Sequence, residues 1–504
     1  MKKSIALSAL LLTGLSFVQA QEQDPVQVKY AETITVDDLK GHLTILASDA
    51  LEGRETGERG QKMAAAYIKA HFQEIGLQAP VKTAGGMSHY QDVPLKTSSA
   101  GDIYLISDGN KLENGKDIYY SGSSYNSDET KTEVVFGGNG SKEALASIDV
   151  KGKSVLILNS DRRETRAAQT YVQDNGGTML FAVNAESQEK FEEGIARYAR
   201  FLNRGRIGLD TGDAAKSAGT FYVSPNVAAA TFGKSFEKLQ KAKSISKIKS
   251  GELTYKLDFK SKKVDSENVL GFLEGSDLKD EVLVITAHYD HEGVKDGKIY
   301  NGADDDGSGT TAVLDIAEAF ALAKEAGNGP RRSILFMTVT AEEKGLLGSK
   351  YYSENPIFAL ENTVANLNID MVGRRGYDHL DNDNYVYVIG ADRLSTELHE
   401  VGEMANKTYM NMELDYTYND PNDKNRFYFR SDHYNFAKHN IPIIFYFNGV
   451  HDDYHKHTDT VDKIEFELMA KRAKLVFHTA WEIANRDGRL IVDKGPKADE
   501  ASSK

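Results

Sequence analysis

The chain has 504 residues, enough for about three ordinary domains or for one large α/β domain carrying an insertion. With 40% hydrophobic and 27% charged residues and a mean hydropathy of -0.47, it is neither a membrane bundle nor a disordered chain. Its 75 acidic against 61 basic side chains give a net charge of -14, so the broad basic field that holds nucleic acid is missing and nucleic acid is not expected as a partner.

Residues 1–20 have the pattern of a secretory signal peptide. Lys2 and Lys3 precede a short apolar stretch from Ile5 to Val18, and Val18-Gln19-Ala20 supplies small residues at a cleavage point. A transmembrane anchor needs about 20 continuous apolar residues, whereas this stretch is short and runs at once into Gln21-Glu22-Gln23-Asp24. A secreted or periplasmic protein without stable membrane insertion is expected. Cysteine is absent, which excludes disulfides, thiol catalysis and thiolate metal sites.

From 21 to 95 the pattern is helical. Leu39, Leu43 and Leu46 share one face; after the Gly57–Gly60 break, Met63, Tyr67, Ile68, Phe72 and Ile75 repeat at three and four until Gly76. From 96 to 255, Gly, Ser, Asn and Asp punctuate short strands such as Thr132–Phe136, Ser154–Leu158, Met179–Val183 and Phe221–Val223, which predicts an inserted β-rich or α/β module. From 256 to 490, apolar strands at Val282–Thr286, Ile334–Val339, Tyr385–Ile389 and Ile441–Phe447 alternate with helical stretches at Thr310–Ala323 and Leu346–Tyr352. Such alternation predicts an α/β fold with a mixed, mostly parallel sheet and helices on both faces. The polar tail at 491–504 is expected to be disordered.

Chemistry-bearing residues gather just after the apolar strands, where open α/β sheets bind ligands. Val282–Ala287 leads into His288-Tyr289-Asp290, followed by Asp304-Asp305-Asp306-Gly307 opening a helix. Ile334–Ala341 leads into Glu342-Glu343, Leu367–Ile369 into Asp370, and Ile443–Phe447 through a loop to Asp453-Tyr454-His455. Each also fits an ordinary role: a local hydrogen-bonded pair, a helix cap, a first helical turn, a solvated loop. Their occurrence together, in order, is what the ordinary roles do not supply. Histidine and carboxylate suit zinc, and manganese or cobalt would accept the same set. Phe436, Phe445 and Phe447, in an aromatic-rich stretch, read first as core and second as walls of an apolar pocket.

The segments AHYDH, NGADDDGSG, TAEEKGLLGS, NIDMVG and YHKHTDTVDKI resemble the metal-binding motifs of the secreted dinuclear zinc aminopeptidases, the family of aminopeptidase Y and the bacterial leucyl aminopeptidases. LASDALEGRETGERG at 46–60 and RSDHYNFAKHNIPIIF at 430–445 extend the likeness, and VKGKSVLILNS resembles the protease-associated domain that such enzymes often carry as an insert. The resemblance implies a zinc exopeptidase fold and two zinc ions per chain. His288 and Asp370 would hold one, Glu343 and His455 the other, with Asp304 bridging them. Asp290 would orient His288 and Glu342 would act as general base on a bridging water. His455 is preferred to His457 because Tyr-His followed four residues later by Asp-Thr fits the family spacing. The family also implies a non-proline cis bond after the bridging aspartate, here Asp304–Asp305. The substrates would be peptides with a free N-terminus. A carboxypeptidase or dipeptidase of the same fold, using Arg374, Arg375, Arg426 or Arg430, a glutaminyl cyclase, and a non-enzymatic receptor-like relative are the alternatives.

Overall fold

The apolar runs ending at His288, Val339, Ile369 and Phe447 lie side by side in one sheet. In this computed structural model the described residues are 22–122, 126–202, 205–210 and 219–495, so the predicted signal segment 1–20 lies outside them. Two compact units are formed, one by residues up to Gln91 together with those from Glu267, the other by Asp92–Ser266.

In the first unit the strands run, across the sheet, Glu413–Asp415, Tyr385–Ile389, Ile443–Phe447, Thr363–Ile369, Leu278–His288, Arg332–Val339 and residues 269–273. The central neighbours from Ile443–Phe447 to Arg332–Val339 are parallel. Tyr385–Ile389 and residues 269–273 pair antiparallel with theirs. This is the predicted mixed, mostly parallel sheet. Successive residues enter opposite cores: Val282 and Val284 pack with Leu335, Met337 and Phe445, while Leu283 and Ile285 pack with Ile334, Phe336 and Ile444. With both faces covered, the strands read as unbroken apolar runs.

Helices Val36–Leu46, Arg59–Glu74, Gly309–Glu325 and Phe466–Asn485 cover one face through Leu39, Leu43, Ile68, Phe72, Phe320, Phe477 and Trp481. The opposite face takes Leu347–Glu354 and His433–Ala437 through Tyr352 and Phe436. Phe466–Asn485 escapes a periodicity search because it is buried nearly all round, Arg472 and Thr479 included, so no polar stripe marks it. Arg472 donates there to the carbonyls of Tyr385, Val372 and Arg374. No helix of the described residues is long and apolar enough to cross a membrane.

The second unit is α/β. Strands Asn126–Phe136, Ser154–Leu158, Leu180–Val183 and Thr220–Tyr222 are parallel neighbours, flanked antiparallel by residues 251–257 and by Tyr119–Ser121. Helices Arg162–Asp174, Gln188–Leu202 and Pro225–Phe232 join them. The sequence left β-rich and α/β open for this module and the structure is the second; its helices were muted because Arg162–Asp174, for one, buries only Thr165, Ala168 and Val172. At the far end of the chain, residues 491–494 are docked rather than loose. Ile491 donates to Glu397, Asp493 accepts from the Thr396 amide, and the Lys494 amide donates to Leu394. Residues 496–504 lie outside the described residues.

Candidate metal centre and active site

The parallel strands deliver their C-terminal residues to one cleft, as the topology of an open α/β sheet requires. His288 is the last residue of its strand, Asp370 follows Thr363–Ile369, and Glu342 and Glu343 follow Arg332–Val339 after a turn at Ala341, whose φ is 56°. The turn at 303–308 sets Asp304, Asp305 and Asp306 at the start of helix Gly309–Glu325. His455 comes from the loop after Ile443–Phe447.

Asp305 lies between two imidazoles. Its Oδ1 is 3.3 Å from His288 Nε2 and its Oδ2 is 3.1 Å from His455 Nε2. His288 Nε2 is also 3.6 Å from Asp370 Oδ1, and His455 Nε2 is 3.4 Å from Glu343 Oε2. Glu342 Oε2 stands 3.9 Å from His288 Nε2, outside both groups. His288, Asp305, Glu342, Glu343, Asp370 and His455 all line one cavity of about 410 Å³. His457 points elsewhere, its ring edge-on to Tyr300.

Asp304, expected to bridge, is turned away. Its carboxylate accepts from the Gly373 amide at 2.6 Å, the Ser308 hydroxyl at 3.0 Å and His451 Nε2 at 2.9 Å, so it is fully hydrogen-bonded and has no free edge towards the cleft. The residue facing both imidazoles is Asp305, and the cis bond joins Asp305 to Asp306 instead of Asp304 to Asp305. Three consecutive aspartates cannot be told apart by type; the turn decides which one faces the ligands. The third, Asp306, lies within reach of His288 and Asp370, yet its oxygens are taken by the amides of His288, Gly309 and Met371 at 2.9–3.1 Å. It ties two strand ends to the start of helix Gly309–Glu325. A Cβ on Gly309 would come within 2.3 Å of Asp306 Oδ1, which is why glycine stands there.

Asp290 differs from expectation as well. His288 Nδ1 meets the backbone carbonyl of Asp290 at 3.0 Å, and the Asp290 carboxylate is farther, at 3.9 Å. That carbonyl fixes the ring with Nε2 towards the cleft. The Asp290 carboxylate instead accepts from Thr56 at 2.7 Å and from the Glu342 amide at 3.0 Å, holding the residue expected to be the base.

Several groups that shape the site carry no obvious sequence signal. Asp459 accepts from the amides of Asp304 and Asp305, bracing the turn, and burial raises its carboxyl to about 6. Ser431 donates to Asp370 at 2.6 Å. Buried His291 brings Nδ1 to 2.9 Å from Glu343 Oε1. Arg54 is 1% exposed and donates to the carbonyls of Leu46, Tyr289, Asn301 and Gly302, pinning the segments on both sides of the acidic turn. All four fall inside segments already quoted, but only the fold gives them partners.

The electrostatics carry a surplus of buried negative charge. Burial pushes the Glu342 carboxyl well above the usual carboxylate range despite His288. Burial acts the same way on Asp305, where the neighbouring imidazoles outweigh it and hold the group well below its ordinary value. His288 and His455 are drawn down by burial, but the carboxylates win, raising His288 strongly and His455 to about 9. Asp305 Oδ2, Glu343 Oε1 and both nitrogens of His291 are buried with no properly angled hydrogen-bond partner. Acidic and imidazole atoms 3.1–3.6 Å apart, several of them buried without a hydrogen-bond partner, fit bound cations, and oxygen with nitrogen donors suit zinc.

Residues 268–480 match the model of peptidase family M28. This segment is a peptidase family M28 domain. A probable leucine aminopeptidase of Arthroderma otae is 31% identical over 212 residues, 41% of this chain and 55% of that protein. A probable zinc metalloprotease of Pyrenophora teres f. teres is 28% identical over 267 residues, 44% of this chain and 52% of that one. The chain thus spans about half the length of these relatives. Among solved structures, an aminopeptidase from Aneurinibacillus sp. strain AM-1 has the same fold, with a TM-score of 0.53 at 20% identity over 93% of this chain and 98% of that one. Residues 268–480 hold every residue that lines the cavity, and Arg54 and Thr56, which brace it, precede them.

Proposed function

We propose that this chain is an exported zinc-dependent aminopeptidase that hydrolyses the N-terminal peptide bond of peptides. One observation carries the reading: Asp305 offers one carboxylate oxygen to His288 and the other to His455, and each imidazole has its own carboxylate companion, Asp370 and Glu343. The set divides into two ligand groups sharing Asp305, which fits two zinc ions per chain. Zinc bound there supplies Lewis acidity that polarises the peptide carbonyl and acidifies water.

The remaining work falls to the chain's own groups. Glu342 belongs to neither ligand group and has a raised proton affinity, so it takes a proton from the attacking water and returns it to the leaving amine. Asp290 holds the Glu342 backbone. Phe427, Phe429, Phe445, Phe447, Val450 and Met371 give the cavity an apolar wall for the first side chain, and its carboxylates attract the free amino group. Phe445 and Phe447 are core and wall at once; Phe436 is core only. The Lys2-Lys3 and apolar pattern of residues 1–20 supports export to a periplasm or the medium.

One observation favours a carboxypeptidase: Arg430 lines the same cavity, where it would hold a substrate carboxylate. The test is turnover of aminoacyl, N-blocked and C-terminal substrates with and without a chelator. Chelator-sensitive cleavage confined to substrates with a free amine is expected. Cleavage of N-blocked peptides from their C-terminal end would establish the other reading.

A further inference from the structure

Away from the cleft, three helices of the first unit bring two histidines and two carboxylates together. His42 comes from Val36–Leu46, His71 from Arg59–Glu74, and Asp315 and Glu318 from successive turns of Gly309–Glu325. One ligand atom each from His42, His71 and Glu318 lie within 4.8 Å of one another. His42 Nε2 is 3.6 Å from Asp315 Oδ1, and His71 Nε2 is 3.9 Å from Glu318 Oε2. Tetrahedral zinc with bonds of about 2.0 Å sets its ligand atoms about 3.3 Å apart, so small side-chain rotations close His42, His71 and Glu318 on an ion, and Asp315, beside His42, is placed to join them.

The decisive feature is Asp315. It is 3% exposed, and neither carboxylate oxygen has a hydrogen-bond partner. A buried carboxylate in that state is strongly unfavourable unless it is neutralised or paired. No lysine or arginine forms an ion pair with it among the described residues; what faces it is His42, with Asp38 and Glu318 adding like charge. His42 Nδ1 lies 2.7 Å from the Tyr67 hydroxyl, and with that contact made by an Nδ1–H donor, Nε2 presents its lone pair towards Asp315. Metal-binding imidazoles use their second nitrogen in this way. His71 Nε2 lies 3.4 Å from the Leu314 carbonyl, a long donor contact that the ring would exchange for a metal by carrying its proton on Nδ1.

We propose that His42, His71, Asp315 and Glu318 form a further transition-metal site of the zinc class, separate from the His288–Asp305 cluster. Two imidazoles with two carboxylates favour zinc over magnesium or calcium, which take all-oxygen shells. The site would be structural. It joins the two N-terminal helices to Gly309–Glu325, the helix that opens at the acidic turn, and none of its residues lines the catalytic cavity.

The test compares zinc bound by the full chain and by His42→Gln and Asp315→Asn after stripping with a chelator, dialysis against micromolar zinc chloride, and metal analysis. Wild type should bind one equivalent more than either variant, and zinc should raise its Tm further, while the variants keep their turnover. The readout is a difference, so it does not depend on how many ions the catalytic cluster takes. Equal zinc content in all three would overturn the proposal. Should the buried variants fail to fold, Glu318→Gln, at a half-exposed position, decides: its extra equivalent should bind about tenfold more weakly, and unchanged affinity overturns the site.

Discussion

Asp304 and Asp305 are consecutive in the chain, and their carboxylates serve opposite sides of the same turn. Asp304 accepts three hydrogen bonds, from Gly373, Ser308 and His451, whereas Asp305 has one oxygen left without a hydrogen-bond partner and faces His288 and His455. One braces the site and the other belongs to it.

That division predicts unequal consequences for two substitutions of identical chemistry. Asp305→Asn should strip metal and lower kcat/KM by 10²-fold or more on the order-of-magnitude scale of losing a shared ligand. Asp304→Asn should keep metal at saturating zinc while weakening its affinity about tenfold through a loosened turn. Metal content measured beside rate distinguishes them, and the reverse order would return the bridging role to Asp304.

Glu342 and Glu343 are adjacent, but only Glu343 faces His455 and His291. Glu342→Gln should retain its bound metal and lose about 10²-fold in turnover, because it removes a proton carrier and no ligand. Glu343→Gln should lose metal and stability together. Retention of metal by Glu343→Gln with loss by Glu342→Gln would invert the roles.

Arg54 joins the segment at 46–60 to the backbone around the acidic turn. Arg54→Met leaves the four carbonyls it serves without their donor in a buried setting, and should cost about 3 kcal/mol or more in denaturant unfolding. A loss below about 1 kcal/mol would mean that water or neighbouring amides replace it.

His433 and His478 are buried and held to about 3, far below the usual histidine value of 6.5, chiefly by loss of hydration; His478 stacks on Tyr409 at 4.2 Å. Their folded pKa values are depressed, so the unfolded chain binds protons that the folded chain refuses. The stability they contribute is complete above pH 6.5 and is lost as pH falls towards 3. Each group can steepen that loss by up to about 1.4 kcal/mol per pH unit. Urea midpoints between pH 7 and 4.5 should fall accordingly, and the fall should be shallower in His478→Gln; an identical slope would rule out its part.

Much of this protein is determined locally. Strands buried on both faces read as apolar runs because no position on them meets water, so the mostly parallel sheet and the place of His288, Glu342, Glu343 and Asp370 just after its strands followed from sequence. Helix Phe466–Asn485 was hidden by the same burial, which erases the polar stripe that marks a surface helix. What only the tertiary structure decided is direction. Which of three aspartates turns to the cleft depends on Asp459, His451 and Gly373, brought in from distant segments. That a carbonyl and not a carboxylate orients His288, and that His42, His71 and Asp315 meet at all, rests on helices and strands packed across hundreds of residues. Composition and spacing name the groups available; the pairing of buried polar atoms, each needing a partner once water is gone, selects what each one does.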